Sequence, residues 1–143
     1  FKFNVVSKSR KNVIRGLHFQ KEKPQAKFIS VIKGKIIDVA VDIRKNSETY
    51  GKFITKEISA ESFEQILVPK GFAHGFLTIK PSSEIVYKCS DYYAPEAEGS
   101  IMWNDPDIGI NWDLNGEPIL SSKDADALTL KDIESPFIYG QNS

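Results

Sequence analysis

The sequence predicts an all-β fold of the sandwich, barrel or jelly-roll kind. Three observations carry this. Residues 37–43 alternate strictly, with Ile37, Val39, Val41 and Ile43 set against Asp38, Ala40 and Asp42; that is the period of a strand with one face buried. Other short apolar runs recur as far as Ser90. Turn-forming residues separate them, as they do in proteins built from many short strands.

Taken in order, residues 28–44 hold two apolar runs flanking Lys33-Gly34-Lys35, which reads as a hairpin turn. Strands are expected over 53–58, 65–68, 71–79 and 84–90. Asn46-Ser47, Pro69-Lys70-Gly71 and Pro81-Ser82-Ser83 supply the breaks. After Ser90 the texture changes: aromatics, prolines and acids crowd residues 91–114. This stretch reads as ordered loop with short strands near 100–103 and 109–112. Residues 121–130 are expected to hold one short helix capped by Ser121 or Ser122. No linker, repeat or low-complexity segment appears, so residues 1–143 read as one domain.

Composition narrows the function classes. A chain of 143 residues that is 41% apolar can bury one core. Nineteen Lys and Arg balance nineteen Asp and Glu, so no basic excess draws the chain to nucleic acid or to an anionic membrane. Its apolar runs are shorter than a membrane span. Cys89 is the single cysteine, which fits a reducing compartment such as the cytoplasm. No secretory leader pattern opens the chain. It starts at Phe1 rather than Met, as a fragment or a trimmed chain would. Neither a glycine-rich phosphate cradle nor a Gly-x-Ser-x-Gly elbow occurs.

The chemistry-bearing residues are few. His18 and His74 are the only histidines, and each sits among strand-like apolar residues; either is a hydrogen-bonded core histidine or a functional one. Arg15 and His18 fall on opposite faces of an ideal strand, and a bulge at Gly16 would turn both the same way. Two histidines without a His-x-His pair or a cysteine cluster do not make a metal site. Lys27 reads as a surface lysine at a strand start, and Tyr87 as a core aromatic with a hydrogen-bonded hydroxyl. Tyr92 and Tyr93 read as packing or a binding wall, Asp124 as a first-turn helix acid, and Cys89 as buried structure.

Together these segments resemble one family, the dTDP-4-dehydrorhamnose 3,5-epimerases. The resemblance lies in VIRGLHFQ at 13–20, PQAK at 24–27, GKIIDVAVDIR at 34–44, LVPKGFAHGFL at 67–77, YKCSDYYAPEAE at 87–98, WNDPDIGINWDL at 103–114 and ILSSKD at 119–124. It implies a cupin jelly roll with a short C-terminal helical segment, a homodimer, no metal and no cofactor. It further implies epimerisation at carbons 3 and 5 of dTDP-4-dehydro-6-deoxyglucose, on the way to a surface polysaccharide. Carried over by position, His18 matches the catalytic base, Asp124 its carboxylate partner, Tyr87 the general acid and Lys27 the lysine at the keto oxygen. Arg15, Gln20, His74, Tyr92 and Lys123 match substrate-binding positions.

The resemblance also has a gap. Family members carry a longer segment before the Arg-Gly-Leu-His motif, whereas fourteen residues precede Arg15 here. The chain is therefore expected to lack the usual N-terminal extension. Just ahead of the motif the family tends toward Gln-Asp-Asn, where this chain reads Phe3-Asn4-Val5. A sister epimerase acting at one carbon, a sugar-nucleotide-binding cupin without activity and a metal-dependent cupin isomerase are the other readings. The last lacks ligands.

Overall fold

The structure, a computed structural model, describes residues 1–140. Its strands are β1 (Phe3–Ser9), β2 (Ile14–Gln20), β3 (Lys27–Lys33), β4 (Lys35–Asp42), β5 (Arg44–Lys45), β6 (Phe53–Ser59), β7 (Gln65–Val68), β8 (Phe72–Thr78), β9 (Ser83–Cys89), β10 (Glu98–Ser100) and β11 (Phe137–Ile138). A single α-helix turn, α1 (Ser122–Ala125), lies near the C-terminal end. Two sheets form the body, in the orders β1-β9-β3-β7 and β10-β2-β8-β4-β6, and every neighbour within them is antiparallel. The short β5 and β11 pair in parallel at one end. The all-β expectation holds.

Strands β6 to β9 fall where the turn residues placed them. The glycine at 34 behaves differently from the hairpin expected of it. β3 and β4 lie in different sheets, so the chain turns a corner there instead of pairing back on itself. Gly34 has φ +85, and Ser83 lies where a Cβ would go. Ser83 Oγ accepts from Lys35 N at 3.1 Å and donates to Lys80 O at 2.6 Å, which pins the corner.

The two faces of the larger sheet explain a second departure. Residues Ile29, Val31, Val68 and Ile85 of one sheet pack against Ile36, Ile58 and Phe76 of the other, forming the layer between the sheets. On its other face the larger sheet packs Ile14, Leu17, Val39, Val41 and Leu77 against Ile101, Ile108, Trp112, Leu130 and Phe137 of the C-terminal segment. Each such buried side chain contributes roughly 1.5–3 kcal/mol. β4 is therefore covered on both sides, and its alternating Asp38 and Asp42 are 2% and 1% exposed rather than solvated.

The C-terminal segment is mostly irregular. Residues 109–112 form no strand, and the strand expected at 100–103 is β10 plus a parallel bridge between Ile101 and Leu128. That bridge, with Met102 N donating to Leu128 O at 2.8 Å, takes backbone that a longer helix would need. Hence the helix expected over 121–130 is limited to α1 and a 3-10 turn at Leu130–Asp132. Trp112 Nε1 donates to Trp103 O at 2.8 Å, and the buried Asp105 carboxylate accepts from Leu130 N at 2.7 Å. These bonds hold the irregular backbone against the sheet.

Candidate active site

The second strand is bent where the site begins. Pairing of β2 with β8 shifts register between Arg15 and His18. Gly16 sits at the shift with φ +107, and a Cβ there would lie 2.6 Å from His74 O. Across from it, a Cβ on Gly75 would lie 2.5 Å from Arg15 O. The two glycines let the backbones of β2 and β8 approach, and the bulge brings Arg15 and His18 to one cavity, as the sequence allowed.

That cavity, of about 350 Å³, lies between the sheets. Strand order sets its depth. Edge strands β1 on one sheet, and β2 with β10 on the other, form its rim, where Arg15 Nε donates to Ser9 Oγ of β1 at 3.2 Å. One strand in lie Tyr87 and Cys89 of β9 and His74 of β8. Deepest are Lys27 of β3 and, behind His74, Asp38 of β4. With strands about 4.8 Å apart, Lys27 is rooted roughly 10 Å in from β1.

Two histidine–carboxylate pairs serve this space. His18 Nε2 lies 2.6 Å from Asp124 Oδ1, and Asp124 Oδ2 accepts from Gly16 N at 3.1 Å. Asp124 comes from α1, whose cap Ser121 Oγ accepts from Asp124 N at 3.1 Å. Burial alone would push the Asp124 carboxyl up. The hydrogen bond and charge of His18, the Gly16 N–H and Ser121 outweigh it, so the carboxyl is held below its ordinary value. The second pair is His74 Nε2 and Asp38 Oδ1, at 2.6 Å and nearly sealed from solvent. His18 and His74 are direct cross-strand partners.

The remaining walls are tuned by burial. Lys27 is lowered by desolvation, against which Cys89 and Asp38 pull it up. Tyr87 is raised by burial, with Arg15 and a hydrogen bond to Ser7 acting the other way. The Cys89 thiol is pushed up by burial and only partly offset by Lys27, so it stays protonated. Asp38 was visible in the sequence as an acid in an apolar strand; its partnership with His74 was not. Tyr93, one of the two tyrosines read as packing or a binding wall, lines the cavity, as do Glu98, Phe3 and Val5, which were not singled out as site residues.

Three positions implied by the resemblance do not face this cavity. Gln20 spends its amide on the following loop, donating to Lys23 O and Tyr92 O and accepting from Ala94 N. Tyr92 is 55% exposed beyond the rim, and its neighbour Tyr93 lines the wall instead. Lys123 forms an ion pair with Glu98, which ties β10 to α1. Among the described residues no three His, Cys, Asp or Glu side chains converge as a metal site, and no helix is long and apolar enough to cross a membrane.

A jelly roll with a histidine–carboxylate pair on one wall, a buried phenol on the other and a lysine at the bottom defines a cupin-type protein. The chain belongs to the dTDP-4-dehydrorhamnose 3,5-epimerase family, whose model matches residues 1–132. It is 52% identical over 122 residues to the dTDP-4-dehydrorhamnose 3,5-epimerase of Salmonella typhimurium, covering 85% of this chain and 67% of that protein. A Legionella pneumophila dTDP-6-deoxy-D-glucose-3,5-epimerase, solved with dTDP-4-keto-L-rhamnose, superposes with TM-score 0.94 at 42% identity, covering 98% of this chain and 75% of the other. A 3'-monoepimerase of Streptomyces bikiniensis, solved with dTDP-quinovose, gives 0.86 at 36% identity, covering 91% and 66%. The chain spans about two thirds or less of the length of the first curated relatives it matches.

Proposed function

We propose that this chain epimerises carbons 3 and 5 of dTDP-4-dehydro-6-deoxy-D-glucose, giving dTDP-4-dehydro-L-rhamnose for rhamnose-containing polysaccharide. The observation that carries this reading is that His18 and Tyr87 reach one cavity from opposite sheets, with Lys27 at its deep end.

The chemistry follows from those positions. A hydrogen on carbon beside a ketone is weakly acidic, so its removal needs a base at bonding distance and a cation for the charge that moves onto oxygen. His18 takes the proton, and Asp124 fixes its tautomer and favours the imidazolium formed. Lys27 meets the enolate oxygen. The Tyr87 hydroxyl, kept protonated by burial, delivers its proton to the opposite face of the carbon. Arg15 nearby steadies the phenolate left behind. Exchange with water then returns a proton to Tyr87 and removes one from His18. The ketone is the electron sink, so no organic cofactor is needed. Asp38 orients His74 and adds negative charge behind Lys27.

The partners proposed are a dTDP-sugar and a second copy of the chain. The outer face of the β1-β9-β3-β7 sheet supports the homodimer, because Val6, Ile32 and Leu67 stand 69%, 58% and 61% exposed on it. A cytoplasmic setting suits the lone thiol. Likeness to a 3'-monoepimerase favours, as a second reading, inversion at one carbon only. Incubation with dTDP-4-dehydro-6-deoxyglucose in heavy water, followed by NMR, decides. Deuterium at carbons 3 and 5 is expected; deuterium at one carbon establishes the second reading, and none at either removes both.

A further inference from the structure

We infer that Asn115-Gly116 is a self-modifying site, where the folded chain closes a succinimide on itself and opens it with water to aspartate and isoaspartate. The inference stands apart from the proposed function, because it rests on a loop outside the cavity.

This chemistry needs three things in one place. They are a side-chain amide free to turn, a following backbone nitrogen free of hydrogen bonds, and no side chain on that next residue to block the approach. The sequence has seven asparagines, and the fold withholds these conditions from the others it describes. Asn4 lies in the β1–β9 ladder. After Asn12, Asn46 and Asn104 the next nitrogen already donates: Val13 N to Arg10 O, Ser47 N to Arg44 O and Asp105 N to Met102 O, each at 3.2 Å. Asn111 uses its side-chain oxygen to accept from Asp113 N at 3.0 Å, and the buried Trp112 follows it. Asn142 lies outside the described residues.

Asn115 meets all three conditions. It and Gly116 are exposed and belong to neither helix nor strand. Among the described residues, neither the Asn115 side-chain amide nor Gly116 N takes part in a hydrogen bond. Gly116 has φ +103, a conformation that glycine holds without strain and without a shielding side chain. Gly116 N attacks Asn115 Cγ. The N–Cγ bond forms, the Cγ–Nδ2 bond breaks, the Gly116 amide proton passes to solvent, and the side-chain nitrogen leaves as ammonia. Water then opens the ring. Cleavage at Cγ gives aspartate, and cleavage at the main-chain carbonyl carbon gives isoaspartate. Ammonia leaves and water enters, so nothing is oxidised or reduced.

The surroundings suit the isoaspartyl product. Asn12 Nδ2 donates to Asn115 O at 3.1 Å. In isoaspartate that oxygen belongs to a free carboxylate, so the same bond becomes charge-assisted. The main chain gains one carbon, about 1.5 Å of path. Just beyond, Ile119 N donates to Asn12 O at 2.8 Å and Ile119 O accepts from Ile14 N at 3.0 Å. Those two bonds brace the chain, so the added path is taken up in residues 116–118, ahead of Asp124.

The full chain, kept in mildly alkaline water labelled with heavy oxygen and then digested for mass spectrometry, tests this. The peptide holding residues 115–116 is expected to gain label and lose ammonia, at a rate within about tenfold of a synthetic peptide of residues 111–119, as befits an open loop. The rate is expected to rise in proportion to hydroxide, because the amide anion is the nucleophile. Asn115→Gln, at an exposed position, is expected to lose the conversion there. A folded chain that converts more than about tenfold slower than the peptide overturns the inference without any variant having to fold. Equally fast labelling at Asn46 or Asn104 overturns it as well, as does conversion at this position that survives in Asn115→Gln.

Discussion

Replacing Asp124 by Asn tests the site at its tightest point. The carboxylate makes two different bonds at once, Oδ1 to His18 Nε2 at 2.6 Å and Oδ2 from Gly16 N at 3.1 Å. An amide is nearly the same shape but has one acceptor oxygen. The Gly16 N–H is a fixed donor, so the oxygen must face it and the NH₂ must face His18. Nε2 of His18 then has to accept, which puts the imidazole proton on the other ring nitrogen. That nitrogen is the one left to serve as base, and it no longer has a lone pair. The imidazolium formed by proton removal also loses its counter-charge. A comparable tautomer reversal in a Ser-His-Asp site lowers turnover by about 10⁴. A loss of about 10³–10⁴ is expected here, about 4–5.5 kcal/mol of barrier, with unfolding little changed because the Gly16 bond survives. Deuterium uptake in heavy water, measured by NMR beside a urea unfolding curve, reads both quantities. Uptake within tenfold of the unaltered chain would show that the His18 tautomer is not set by Asp124, and the assignment of His18 as base would fall with it.

Three further outcomes are expected. Tyr87→Phe should keep deuterium exchange at the carbon facing His18 but lose inverted product; survival of both at unchanged rates would place the acid elsewhere. Gly16→Ala should destabilise the fold by about 3 kcal/mol or more, since its Cβ would lie 2.6 Å from His74 O at a φ of +107; a urea midpoint within error of the original would refute the close approach of β2 and β8. Asp42 is raised by burial but overruled by donors from Arg44, Ser47 and Thr49, and its carboxyl lies far below the ordinary value of 3.8. A depressed carboxyl stabilises the fold above its unfolded value and loses that contribution as pH falls through the folded one. Asp42→Asn should therefore cost about 2–3 kcal/mol at neutral pH, a gap that narrows below pH 3.8; a gap constant down to pH 2 would contradict this linkage.

Local pattern made the middle of the chain legible. Period-two alternation and turn residues delimit β4 and β6 to β9, because each of those strands keeps one apolar face and ends at a break. Elsewhere the deciding partner is distant. The corner at Gly34 depends on Ser83. Residues 109–112 have strand-like composition, but they cover the outside of a sheet and pair with nothing. Tyr93 rather than Tyr92 faces the cavity because Gln20 holds the Tyr92 carbonyl, a bond across 72 positions. Period alone could not show that Asp38 is an inward acid, since the second face of β4 looks into the sandwich and not into water. Naming His18, Asp124, Tyr87 and Lys27 together required the family resemblance, for nothing local links residues from β2, β3, β9 and α1.

The irregular C-terminal segment has a double duty. It waterproofs the outer face of the larger sheet through Ile101, Ile108, Trp112 and Leu130, and it carries Asp124, 106 positions beyond His18. A chain whose sheets have formed but whose final segment has not docked would own a cavity and a histidine with no orienting carboxylate. On the proposed function, competence would report completed folding, since the His18–Asp124 pair closes only when the final segment docks.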